Sequence, residues 1–169
     1  MPWARHYRMY DYILSELPEV IEANFPIRTD KQGIMGHSMG GHGALVLGLR
    51  NPDRYRSISA LAPLCSPKES PWGSHALVQF LGSDSRAWQD YDSTHLVTIA
   101  KDKRRTLFVD QGAVDEFLSH MRPDLLHEAC AKAHYPLDLR VRENYDHGYY
   151  FVQSFIGEHI AHHARALQS

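Results

Sequence analysis

Ser38 sits at the centre of Gly36-His37-Ser38-Met39-Gly40, a G-x-S-x-G pattern. That spacing suits a sharp turn between a strand and a helix, with the serine at a strained backbone angle and its hydroxyl presented outward. A glycine two residues to either side lets neighbouring backbone pass close without a Cβ clash. The turn also aims the Met39 backbone N–H at the oxygen that becomes negative when an acyl carbon is attacked. A serine hydroxyl needs a histidine to take its proton, and a carboxylate to hold the imidazole in the right tautomer and steady its positive form. The implied chemistry is attack on an acyl carbon through a covalent serine intermediate.

Both partners lie further along the chain, each just past a strand candidate. Asp110-Gln111-Gly112-Ala113-Val114-Asp115 follows the first strand, and Glu143-Asn144-Tyr145-Asp146-His147-Gly148 follows the second. His147 is the expected base. Two aspartates compete for the acid: Asp110 sits at the strand's end, where it could form a turn, whereas Asp115 lies further out, where its side chain could reach the His147 loop. Position favours Asp115. Asp146 reads as a turn residue. The chain holds 12 histidines, so a lone histidine carries little weight. His120, His127 and His134 read as surface residues, and His159, His162 and His163 as a solvated helix face; no carboxylate or cysteine motif supports a metal site there. Trp72 and Trp88 could line a pocket, but buried packing is the commoner fate of tryptophan.

These residues need a scaffold, and the hydrophobic pattern supplies one. Ile13, Leu14, Leu17, Ile21 and Phe25 predict a helix over residues 9–24, kinked or restarted at Pro18. Gly33-Ile34-Met35 is a short strand leading into the serine turn, and residues 43–50 read as the helix after it. Gly40, Gly41, Gly43 and Ala44 give that helix a small face for packing on a sheet. Further strands are predicted at 57–62, 106–109 and 137–142, the last alternating apolar and charged residues as an edge strand does. Helices are predicted over 122–133 and 149–167, the latter with a stripe of Val152, Ile156, Ile160, Ala164 and Leu167. Strands alternating with helices argue for an α/β architecture around a mostly parallel sheet.

The bulk properties narrow the function classes. A chain of 169 residues, 43% hydrophobic and 22% charged, fits one globular domain. A net charge of −2 with no basic run gives nucleic-acid binding no electrostatic footprint. No segment is long and apolar enough for a membrane span, and the N-terminus lacks the apolar core of a signal peptide. Cys65 and Cys130 are too few for a disulfide framework; a reducing compartment is the simpler reading, with Cys65 a plain buried thiol.

Gly36-His37-Ser38-Met39-Gly40-Gly41-His42-Gly43-Ala44-Leu45, Asp110-Gln111-Gly112 and Tyr145-Asp146-His147-Gly148-Tyr149-Tyr150-Phe151 resemble the S-formylglutathione hydrolase (esterase D) family. So do Tyr7-Arg8-Met9-Tyr10, Ser59-Ala60-Leu61-Ala62-Pro63, Pro71-Trp72-Gly73 and Tyr91-Asp92-Ser93-Thr94-His95-Leu96. The resemblance runs from about Pro2 to Leu167 and implies an α/β-hydrolase fold, of which this chain would be the C-terminal portion. It implies hydrolysis of S-formylglutathione to formate and glutathione, the last step of formaldehyde detoxification, together with small acyl esters. The family's catalytic serine, acid and histidine fall on Ser38, Asp115 and His147. A cytoplasmic, often dimeric enzyme without cofactor is also implied.

The same resemblance implies that a full-length member carries roughly a hundred residues before the equivalent of Met1. Those would hold the first strands of the sheet and the loop giving the second oxyanion N–H. The expectation is therefore a single, N-terminally truncated domain whose serine strand is an open edge. An inactive fragment or half-domain that needs a partner is the alternative, as is an acyltransferase or other esterase of the same fold.

Overall fold

Residue 3 and residues 5–168 are described by a computed structural model of the chain. Four strands lie side by side in chain order, all parallel: β1 (Gln32–His37), β2 (Tyr55–Leu61), β3 (Leu107–Gly112) and β4 (Leu137–Arg142). This is the α/β arrangement that the alternating pattern predicts. Among the described residues β1 pairs only with β2 and β4 only with β3, so both are edges. Met35 on β1 is 44% exposed.

The first helix, α1, covers residues 9–24 in three pieces: Met9–Asp11, a wider π turn at Tyr12–Glu16, and Leu17–Asn24. Pro18 explains the break. It lacks an N–H and its ring crowds the carbonyl four residues back, so the turn before it widens, with Leu17 N–H reaching the Tyr12 carbonyl. Helix α2 (Met39–Arg50) starts directly after Ser38, four residues earlier than the glycine-rich sequence suggests. Its close-packed face also differs from the one expected. Side-chain room is missing at Gly41, against Pro63, and at Gly48, against Ile58, whereas Gly40 and Gly43 face open space.

Two helices that the periodicity did not announce follow β2. Pro71 opens α3 (Pro71–Leu81), a position where its missing N–H costs nothing. Asp92 caps α4 (Ser93–Ile99) by accepting from the Thr94 and His95 N–H groups. The predicted later helices are α5 (Pro123–Ala133) and α6 (Tyr149–Gln168).

Strand alternation divides the sheet into two unlike faces. Ile58, Ala60, Leu107 and Val109 point into an apolar core with Leu45, Val46 and Leu49 of α2, Val97 of α4, and Leu126 and Cys130 of α5. Ser57, Ser59 and Leu61 of β2, with Phe108 and Asp110 of β3, face α6. That second face is partly polar, and it corrects the expectation of a solvated histidine row. His159 is fully buried, donates to Asp110 and stacks on Phe108. His163 bridges Ser57 and Ser59. The apolar stripe shifts accordingly: Phe151, Val152, Phe155 and Ile156 pack inward, but Ile160 is exposed. A strict four-residue spacing drifts about 40° per step around a helix of 3.6 residues per turn.

Candidate active site

The carboxyl ends of β1, β3 and β4 bring the three expected residues together. Ser38 has φ 57° and ψ −117°, a backbone region costing roughly 1–3 kcal/mol for a residue with a Cβ. The turn is held on both sides: Ser38 N–H donates to the Leu61 carbonyl on β2, and the Ser38 carbonyl accepts from His42 N–H, each at 2.9 Å. Gly36 is required, because a Cβ there would strike the Gly40 backbone. Gly40 answers to no such clash, so only one of the two flanking glycines serves the close approach expected of both.

Ser38 Oγ lies 2.8 Å from His147 Nε2, and His147 Nδ1 lies 2.7 Å from Asp115 Oδ2. A carboxylate only accepts, so Nδ1 carries the proton and Nε2 is left to accept from the serine. Asp115 is buried, and its other oxygen accepts from the Phe117 N–H at 2.7 Å. Asp110, the competing aspartate, points away into the α6 interface. There it pairs with Arg142 and accepts from His159. Burial alone pushes the Asp110 carboxyl up, but the hydrogen bonds from His159 and Arg142 outweigh it and hold the group below the usual carboxylate range. Asp110 is thus a buried ion-pair residue, not a turn former.

The loops carrying Asp115 and His147 are stitched together by backbone. Ala113 N–H donates to the Arg142 carbonyl at 2.9 Å and Val114 N–H to the Tyr145 carbonyl at 3.0 Å. Gly112 permits this, since a Cβ there would collide with the carbonyls of Tyr145 and Asp146. Asp146 forms the predicted local turn, accepting from Gly148 N–H at 2.8 Å. The Met39 N–H opens α2 beside Ser38, where the first-turn donors of a helix have no intrahelical acceptor.

A cleft of about 480 Å³ opens over Ser38 and His147, bordered by Met39, Gly40, Glu116, Gly148 and Tyr149. Several neighbours escaped the sequence reading. His37 Nε2–H donates to the His147 carbonyl at 3.1 Å, and its ring lies 4.8 Å from that of His147. Burial, then the neighbouring His147, lowers the His37 pKa and favours its neutral form. Phe117 meets the His147 ring edge-on at 5.2 Å. Trp72, half exposed rather than buried, packs on Phe117 and stacks on His120 at 4.1 Å. His120 is therefore part of an aromatic wall. The Gln111 side-chain Nε2–H donates to Asp115 Oδ2 at 2.7 Å. A glutamine at the end of an apolar strand, four residues before a candidate acid, was the available signal. Among the described residues no cluster of histidine, cysteine and carboxylate has metal-binding geometry, and no helix is long and apolar enough to cross a membrane.

Comparison with known proteins bears on this geometry. The esterase family model, described as "Putative esterase", matches residues 1–162. S-formylglutathione hydrolase of Mus musculus is 46% identical over 99% of this chain and 60% of its own length. That of Paracoccus denitrificans (strain Pd 1222) is 47% identical over 98% of this chain and 59% of its own. The solved S-formylglutathione hydrolase of Agrobacterium tumefaciens superposes with a TM-score of 0.93 at 42% identity, over 98% of this chain and 60% of that one. This chain thus spans about 60% of the length of the curated relatives it matches. A ferulic acid esterase, 24% identical with a TM-score of 0.73, shares the fold. By the match to its family model over residues 1–162 and by its parallel sheet with flanking helices, the chain belongs to the esterase family and has the α/β-hydrolase fold.

Proposed function

We propose that the chain is a serine-dependent thioester and carboxylester hydrolase, with S-formylglutathione as its principal substrate. The observation carrying this reading is the relay from Ser38 Oγ through His147 to Asp115, at 2.8 and 2.7 Å, on a strained strand-to-helix turn. Ser38 Oγ attacks the acyl carbon while His147 Nε2 takes its proton, and the oxyanion is held by the Met39 N–H. The C–S bond then breaks, and His147 returns the proton to the leaving sulfur. Water then attacks the acyl-serine and gives a proton to His147; the acyl C–Oγ bond breaks, His147 returns that proton to Ser38 Oγ, and the acid is released. Asp115 fixes the tautomer and stabilises the imidazolium throughout.

The substrate rests on the 46% identical relative named S-formylglutathione hydrolase. The role in formaldehyde detoxification follows from that substrate alone. The free, buried Cys65 and Cys130 accord with a reducing compartment, so the proposal extends to the cytoplasm. A homodimer is carried by the family resemblance, and sedimentation would test it.

The deciding experiment compares S-formylglutathione hydrolysis by this chain and by Ser38→Ala. Wild-type turnover that falls by at least about 10⁴-fold in the variant supports the reading. A folded wild-type chain that neither turns over the thioester nor reacts with a fluorophosphonate overturns it. Fluorophosphonate labelling without turnover favours the half-domain alternative, in which the serine is activated but the oxyanion site is incomplete.

A further inference from the structure

The carboxylate behind His147 is held by a side chain as well as by backbone. Asp115 Oδ2 accepts two hydrogen bonds at 2.7 Å, one from His147 Nδ1–H and one from Gln111 Nε2–H. Gln111 is 1% exposed. Its amide orientation is fixed by its partners, because Asp115 and the Gly112 carbonyl at 3.3 Å can only accept. That orientation leaves Gln111 Oε1 buried with no hydrogen-bond partner. A buried amide oxygen left unpaired calls for an explanation, and here the amide is spent on Asp115.

We propose that Gln111 is a positioning residue for the hydrolytic site, fixing the Asp115 carboxylate so that Oδ2 meets His147 Nδ1 and Oδ1 meets the Phe117 N–H. The inference rests on the reading of Ser38, His147 and Asp115 as the catalytic set. Two contacts define a carboxylate plane poorly when one belongs to the moving imidazole. The third, from a glutamine anchored on β3, removes that freedom. It also shares the negative charge of Oδ2, tempering the pull of Asp115 on the His147 proton. The charged and titratable groups that face His147 are Asp115 and Glu116 on the acid loop, His37 from β1, and Asp146 and Tyr149 on its own segment. Gln111 acts on it only through Asp115.

Gln111→Met tests this, since it keeps the volume, removes the donor and also removes the unpaired oxygen. The first readout needs no turnover: the downfield proton resonance of the His147 Nδ1–H in its bond to Asp115. The second is the pH dependence of kcat and KM. In Gln111→Met the resonance shifts or broadens, kcat falls about tenfold with KM unchanged, and the acid limb of the profile moves. Thermal stability is kept. Gln111→Glu is a second variant of near-identical shape that donates only while protonated. Its resonance and its kcat therefore decline as pH rises. A wild-type spectrum without the resonance, or one unchanged in both variants, overturns the proposal; so does a wild-type kcat and pH profile in both variants, whatever their stability. If the wild-type chain neither turns over the thioester nor reacts with a fluorophosphonate, the hydrolase reading fails, while the resonance still decides the role of Gln111.

Discussion

The Arg142 guanidinium grips both carboxylate oxygens of Asp110, at 2.9 and 3.0 Å, at the adjacent carboxyl ends of β4 and β3. These are the last turns of strand before the His147 and Asp115 loops. The pair therefore fixes the relative height of the two strands that must present histidine and acid to one another. Glu158 on α6 accepts from Arg142 and His159 donates to Asp110, tying the same junction to the last helix.

Removing one member of this pair leaves Asp110 buried with His159 alone. Arg142→Met is expected to destabilise the fold by about 3–5 kcal/mol in urea unfolding. The sign of the pH dependence follows from the direction of the shift. A carboxyl held below its ordinary value stabilises the fold above the unfolded value of about 3.9, and that contribution is lost as pH falls through the lower folded value. The wild-type chain should thus show an acid-side loss of stability below about pH 4 that is shallower in Arg142→Met.

Gly112 is the backbone counterpart of that ion pair. A methyl group there meets the carbonyl oxygens of Tyr145 and Asp146, and backbone has no soft direction in which to yield. Gly112→Ala should push the His147 loop off the end of β3. We expect turnover to fall about 100-fold, as a displacement near 1 Å can cause, with a stability loss of roughly 1–3 kcal/mol. Steady-state kinetics alongside thermal unfolding would separate the two effects. An alanine variant with wild-type kcat would show that the two loops are positioned by other contacts.

The contrast between these residues explains what was legible in the sequence. Ser38, Asp115 and His147 each sit in a local signal: a glycine-flanked turn, or a loop directly after an apolar strand. Their convergence needs only the parallel order of strands. The edge character of β4 was equally visible, because Leu137, Leu139 and Val141 alternate with charge. His159 and His163 were not legible, since nothing on α6 announces that the sheet face opposite carries Ser57, Ser59 and Asp110. The same polar face rotates the buried stripe away from Ile160. Helix α4 was missed although its Asp92 cap was in plain view, because seven residues are too few for a periodic signal.

Chemical modification tests the interior directly. Cys65 and Cys130 are both buried, and burial pushes both thiols up, Cys130 to about 12. The thiolate is the reactive form, so neither should react with a disulfide reagent at pH 8 in the native chain. Both should react once denaturant unfolds it. Fast labelling of either in native buffer would mean that the core around α5 opens on the timescale of the reagent.

His163 supplies the last prediction. Its Nδ1 and Nε2 lie 2.6 and 2.8 Å from the hydroxyls of Ser57 and Ser59, and Gly33 on β1 leaves room for the ring. Burial, followed by repulsion from His162 and His159, lowers its pKa from 6.5 to about 4. A neutral imidazole suits this seat, with one nitrogen donating to a serine and the other accepting from one. In the unfolded chain the same histidine charges near its ordinary value, so between pH 6.5 and 4 the unfolded state binds more protons. Stability is then fully present above pH 6.5 and falls as pH drops towards 4. The slope approaches 1.36 kcal/mol per pH unit at most, a total of roughly 3 kcal/mol. His163→Gln keeps polar atoms near both serines but cannot titrate. Its unfolding free energy, measured in urea from pH 7 to pH 4, should decline less steeply than that of wild type. Equal slopes would mean that His163 takes up its proton over the same pH range in the folded and unfolded chain, so that burial does not disfavour its charged form.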